Sequence, residues 1–249
     1  MSVERIFIVG DKFKLFAENA HVMAVSELEA ILDGDLIHPN LRFQLGQGVS
    51  EEQVTRLLEK AARLKKPWLT DFAKPAKAGR ELAHKHQQQN SMISVPRRLS
   101  HDSFEVDVLL DERCAEMSDH ITGQHIQGMV LTEAARQTFL AVSEAFYLQD
   151  ETESSYFVIN NMDVEYQRFV FPLPMSILYE VLDHRVSERS NSQRFEVRMS
   201  VIQAQQTCCV IRTKFSTYPD SVIAKKEAGL AQQAVLSELN QEIMHEKRA

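Results

Sequence analysis

Apolar and polar positions change their period along the chain, and each change marks an element. "RIFIVG" at 5–10 is a short continuous apolar run and reads as a buried strand, while "VSELEAIL" at 25–32 has the spacing of a helix. "LRFQLGQG" at 41–48 gives a second strand, followed by a helix in "SEEQVTRLLEKAARL" at 50–64. That helix carries its own start signal: Ser50 and Gln53 have capping-box spacing, and Val54, Leu57, Leu58 and Ala61 fall on one face. Residues 1–72 therefore read as a βαβα unit. Residues 73–91 are polar, basic and aperiodic, as a linker or exposed connection would be.

Beyond that break come a strand in "SFEVDVLL" at 103–110 and a long apolar segment at 128–148. Four runs rich in β-branched and aromatic residues follow at 155–171, 176–186, 194–204 and 207–218, each partly alternating as half-buried antiparallel strands do. After Pro219 the spacing of Leu236, Leu239 and Ile243 predicts a terminal helix over 220–249. The segment at 128–148 is apolar around most of its circumference, its polar residues being Thr132, Glu133, Arg136, Gln137, Thr138, Ser143 and Glu144. A helix of that kind must be enclosed. Five or so antiparallel strands curled around one central helix enclose it, which is the α+β hotdog arrangement, predicted here for 92–219 behind the small N-terminal unit.

Composition narrows the picture. With 249 residues, 44% hydrophobic and 25% charged, the chain has the make-up of a soluble globular protein. The start, "MSVERIFIVGDKF", has only a short apolar run, and no run reaches the length a membrane helix needs, so a cytoplasmic protein with no membrane partner is expected. Net charge is -7, which argues against a nucleic-acid partner, yet it is uneven: between Lys60 and Arg98 ten Lys or Arg face only Asp71 and Glu81, which makes the segment about +8. This stretch is either a solvated face or a docking surface for an acidic partner or a phosphate. Cys208 and Cys209 are adjacent within a strand and point to opposite faces, so with Cys114 they predict no disulfide framework, no metal site and no nucleophile. "GQG" at 46–48 lacks the third glycine of a dinucleotide fingerprint and reads as a tight strand-to-helix turn. No cofactor is implied.

The chemistry concentrates at "DHITGQHIQGMVLTEAARQ", residues 119–137. Taken alone, Glu133, Arg136 and Gln137 fit either an active group on an enclosed helix or an ordinary wet face with an i,i+3 ion pair. The stretch resembles the signature of the A-factor biosynthesis (AfsA-type) hotdog family, in which a His-containing loop, a "GM" turn and "EAARQ" follow one another. "VEYQRFVFP" at 164–172 resembles that family's next strand, so the resemblance covers about 92–218. It is more remotely similar to the β-hydroxyacyl-carrier-protein dehydratases. The chain departs from the first family in reading Gln124 and Gln127 where an acidic residue and a proline are usual, and in having one hotdog segment where streptomycete members have two.

What the resemblance implies is acyl chemistry on an acyl-carrier-protein or coenzyme A thioester, with a β-ketoacyl group passed to a small hydroxyl acceptor such as dihydroxyacetone phosphate, for a signal or secondary metabolite. Glu133, Arg136 and His120 are the implied catalytic residues; His125, Gly128, Met129 and Gln137 are the implied substrate contacts. A carboxylate on an apolar helix has a raised proton affinity, so Glu133 would serve as general base, with Arg136 holding it ionised, binding phosphate or polarising the acyl carbonyl. N–H groups near Gly128 would hold the thioester oxygen. Dehydration, hydrolysis and non-catalytic acyl binding stay open beside transfer. Arg168 is expected to brace the sheet edge, and Tyr166 and Phe169 to pack in the core. A lone hotdog leaves part of its surface uncovered, which predicts a homodimer with the acyl site at the subunit boundary.

Overall fold

The computed structural model describes residues 4–34, 40–65, 72, 75–119, 122–149, 154–187 and 191–246. The N-terminal part is a three-stranded parallel sheet of β1 (Glu4–Val9), β2 (Val22–Ala24) and β3 (Leu41–Leu45), in the order β2-β1-β3. A 3-10 turn at Asp11–Phe13 and the single-turn α1 (Lys14–Ala17) link β1 to β2, which runs straight into α2 (Val25–Asp33). The predicted βαβα order thus gains one strand. Three residues fused to a helix leave no period to read, which is why β2 is silent in the sequence. After β3 comes α3 (Glu51–Arg63), capped as its sequence predicts: Gln53 N donates to Ser50 Oγ at 3.1 Å and Ser50 N to Gln53 Oε1 at 2.9 Å.

The main sheet holds six antiparallel strands in the order β4-β5-β7-β8-β9-β6: β4 (Arg97–Arg98), β5 (Ser103–Asp107), β6 (Ser155–Tyr166), β7 (Ser176–Ser187), β8 (Ser192–Gln203) and β9 (Gln206–Pro219). The nineteen-residue α5 (Gly128–Phe146) lies against it, burying Val130, Ala134, Phe139, Leu140 and Val142 in one core with Phe104, Ile177, Tyr179, Val197, Phe195 and Phe215 from the strands. This is the predicted hotdog arrangement, with β6 at an edge. α6 (Asp220–Glu246) leaves the sheet after β9 and, past the buried Ile223, is exposed along its described side chains, including Leu230, Val235, Leu236 and Leu239.

Two segments differ from expectation in how they attach. β1 feeds both cores, Ile8 into the N-terminal one and Val9 into the hotdog one, because successive strand residues point to opposite faces. The glycines of "GQG" let the two parts meet. A side chain at Gly46 would lie 2.3 Å from the Pro172 carbonyl oxygen, and Gly48, at φ 90°, exchanges backbone hydrogen bonds with Leu110 and Glu112. Between them Gln47 is buried, donating to the Val108 carbonyl and accepting from Leu110 N, both at 2.9 Å. The stretch 75–91 is likewise no free connection. Ala78 and Ala83 are fully buried in the hotdog core, and α4 (Arg80–Ala83) packs on α5. Three cysteines, Cys114, Cys208 and Cys209, are buried and unpaired, and burial pushes the thiols of Cys114 and Cys209 up to about 11. No helix of the described residues is long and apolar enough to cross a membrane.

Candidate functional site

The signature residues of α5 separate into two places. Glu133 and Gln137 stand one turn apart, so they share a helix face with Arg136 between them. Glu133 is received from every side: Arg136 donates through Nε at 2.7 Å to Oε2 and through Nη2 at 2.9 Å to Oε1, Gln137 Nε2 donates to Oε1 at 2.9 Å, and Lys85 Nζ stands 2.8 Å from Oε1. Gln137 is fully buried and saturated, accepting from Met92 N at 2.8 Å and donating to the Asn90 carbonyl at 2.9 Å. Lys85 also reaches Glu116 Oε1 at 3.2 Å. The cluster therefore pins the 83–92 stretch and the Glu116 turn onto the central helix.

Its electrostatics bear on one expectation. Burial raises the Glu133 carboxyl, but hydrogen bonds from Arg136, Lys85 and Gln137, with the Arg136 charge, outweigh it and hold the group at about 2. A carboxylate so held is a weak proton acceptor near neutral pH, which runs against the general-base role expected from its apolar helix. Arg136 is committed to the same carboxylate. Gln137, expected to touch substrate, has no free donor or acceptor facing a cavity.

The second place is the N-terminal end of α5. A cavity of about 690 Å3 opens there, lined by the 122–129 loop and helix start on one side and by 166–170, the end of β6 and its exit, on the other. Ile126, Met129, Leu131, Phe169 and Val170 give it an apolar wall. Thr122 shapes the loop, its Oγ1 accepting from Gln124 N at 3.2 Å and His125 N at 3.0 Å while donating to the His125 carbonyl. The His125 ring faces Phe169 at 4.9 Å between centroids. Gln127 contributes no side-chain cap to the helix, and the N–H groups of Gly128 and Met129 have no acceptor among the described residues. Tyr166 crosses the helix start, its hydroxyl 3.0 Å from Thr132 Oγ1; a side chain at Gly128 would lie 2.7 Å from its ring, so glycine is what permits the approach.

Of the expected site residues, His125, Gly128 and Met129 line this cavity; Glu133, Arg136 and Gln137 are not among its walls. His120 lies outside the described residues. Two further expectations are corrected. Tyr166 and Phe169 are not core residues but stand 52% and 69% exposed at the cavity, because β6 is an edge strand and has no neighbour beyond it to cover its end. Arg168 has no side-chain partner on the sheet among the described residues: its backbone N donates to the Cys208 carbonyl, and the residue lines the cavity.

Residues 70–219 match the model of the A-factor biosynthesis hotdog domain. The chain belongs to that family. The match to the A-factor biosynthesis hotdog domain begins well before residue 92, so it takes in the stretch that supplies Lys85 to Glu133. No curated protein matches the chain significantly. Among solved structures it is similar to a mutant thioesterase from Pseudomonas aeruginosa (16% identity, 51% of this chain and 81% of that one, TM-score 0.36) and to a thioesterase from Haemophilus influenzae (16%, 51% and 78%, TM-score 0.35). A protein of uncharacterised function from Pyrococcus horikoshii is similar over 57% of this chain and 93% of its own, at 13% identity and TM-score 0.37. At such values these likenesses say nothing about the reaction of this family member.

What sequence reading missed in this hotdog domain is Lys85, 48 residues before Glu133 and brought to it only by the fold, and the trio Tyr166, Arg168 and Phe169 at the cavity. A signal for the trio was present: "QRF" at 167–169 breaks the alternation of β6 just before Pro172 and Pro174.

Proposed function

We propose that this A-factor-type hotdog protein is an acyltransferase that moves an acyl group, of the β-ketoacyl class, from a carrier-protein or coenzyme A thioester to a small hydroxyl acceptor. The observation that carries the reading is the apolar cavity at an uncapped helix start, with one imidazole in its wall. Cavities of several hundred Å3 hold ligands of this size. The thioester carbonyl would accept from the Gly128 and Met129 N–H groups, whose dipoles favour the negative charge that develops on oxygen as the acceptor attacks. His125 would take the proton of the acceptor hydroxyl as its oxygen bonds to the acyl carbon, and return it to the sulfur as the carbon–sulfur bond breaks. Glu133, Arg136 and Gln137 act by holding the helix, not by touching substrate.

Dehydration is the weaker reading, because it needs an acid for the leaving hydroxyl beside the base and no carboxylate stands among the described residues that line the cavity. Hydrolysis uses the same groups with water as acceptor. A second copy of the chain is expected at the free edge of β6, where Ile159 is 45% exposed and whose end at Tyr166 lines the cavity; elution as a monomer would count against it.

The test is intact-mass spectrometry of acyl carrier proteins bearing β-ketoacyl or β-hydroxyacyl chains, incubated with the protein with and without dihydroxyacetone phosphate. Acceptor-dependent loss of the β-ketoacyl group supports transfer. Acceptor-independent loss means hydrolysis, loss of water from the hydroxyacyl form means dehydration, and no change in any member leaves only acyl binding.

A further inference from the structure

The cavity at the start of α5 carries a charge that the acyl reaction does not use. Arg168 lines it, and no carboxylate, carbonyl or ring of the described residues takes its guanidinium. Among the other arginines of this sheet, Arg198 pairs with Glu180 on β7 and Arg185 with Asp183, while Arg194 and Arg212 have no ion pair among the described residues. Among the described residues the cavity wall contains no acid, in a chain whose net charge is -7. Its other polar groups are donors or neutral: the Gly128 and Met129 N–H groups, the His125 imidazole, and the Gln127 and Gln167 amides. An unneutralised guanidinium beside an uncapped helix start, over an apolar wall, is complementary to a ligand with an apolar body and a compact anionic group.

We propose that Arg168 binds a phosphate group of the substrate and thereby selects phosphate-bearing ligands for this cavity. The planar fork of a guanidinium meets two oxygens of a tetrahedral phosphate at once, which an ammonium does not do, and the helix start adds a field of the same sign. This rests on the acyl-thioester reading of the cavity. The phosphate belongs either to the pantetheine arm of the thioester donor or to the acceptor; the recognition chemistry is the same. Because Arg168 is exposed and its backbone hydrogen bond to Cys208 does not involve the side chain, replacing it leaves the fold intact.

Calorimetric titration of the full chain with octanoyl phosphopantetheine, octanoyl pantetheine and glycerol phosphate separates the cases. With phosphate on the donor arm, the wild type binds the phosphorylated thioester about tenfold or more tightly than the unphosphorylated one, and Arg168→Gln binds both as the wild type binds the latter. With phosphate on the acceptor, glycerol phosphate binds the wild type and not Arg168→Gln, whether or not the thioesters bind. Binding of octanoyl pantetheine without phosphate discrimination or glycerol phosphate binding overturns the proposal and leaves the acyl reading standing. Discrimination that persists in Arg168→Gln also overturns it. No binding of any of the three ligands removes both.

Discussion

Lys85 Nζ lies 2.8 Å from Glu133 Oε1, joining a basic stretch that reads as a linker to the most acidic-looking point of an apolar helix. The Lys85 ammonium is in turn shared with Glu116, so two carboxylates and, through Arg136, two cations close a network around one turn of α5. Networks of this kind are strongly destabilised by removing one member, because the others remain buried without their counter-charge. Glu133→Gln is expected to lower stability by about 3 kcal/mol, roughly 6–12 °C in Tm for a chain of this size. A Tm within 2 °C of wild type would show, on the same scale of about 2–4 °C per kcal/mol, that the network holds nothing.

The same group sets a pH window. Its folded value of about 2 lies below the ordinary carboxylate value of 4.5, so its contribution is fully present above 4.5 and is lost as pH falls from there towards 2. That shift corresponds to about 3 kcal/mol at full ionisation. Urea midpoints measured from pH 6 to pH 3 should fall below about 4.5 more steeply for wild type than for Glu133→Gln. Parallel profiles would contradict the assignment.

Gly46 is where the N-terminal sheet touches the hotdog domain backbone to backbone. A methyl group there meets the Pro172 carbonyl oxygen at 2.3 Å and the Ile8 oxygen at 3.2 Å, neither of which is a flexible side-chain end. Gly46→Ala should therefore cost about 1–3 kcal/mol by chemical denaturation. If the two parts move apart freely, the substitution would instead be silent.

At Gly128 the neighbour is the half-exposed Tyr166 ring, which can swing away. Gly128→Ala should leave Tm nearly unchanged but reduce acyl binding, since the ring that forms the cavity edge is displaced. Adding Tyr166→Ala should make the glycine substitution neutral, and the coupling read from a double-mutant cycle should be well above 0.5 kcal/mol. Additive effects would mean that the two residues do not meet as described.

Legibility from sequence followed the number of residues that share a period. Five of the six strands of the main sheet and α5 were readable because five to nineteen residues repeat one pattern, and the Ser50–Gln53 cap because its signal is local, whereas the two-residue β4 was not read. β2 is too short for a period, and the anchoring of 75–91 depends on a few scattered apolar residues, among them Ala78 and Ala83. The motif located the helix at whose start the cavity opens. Whether Glu133 has a raised or lowered proton affinity depends on Lys85, a residue brought to it only by folding, and no spacing within "EAARQ" reveals that. Tyr166, Arg168 and Phe169 were misplaced because strand periodicity does not say which strand ends at an edge.

The central claim is that acyl chemistry occurs at the start of α5, with His125, and not at the Glu133 network. The most direct measurement is the turnover of the acyl carrier substrate by His125→Gln, beside its Tm. The account predicts a loss of about a hundredfold or more in kcat at an unchanged Tm, the usual weight of a positioned general base. Wild-type turnover in His125→Gln would contradict it and return the search for the base to other residues.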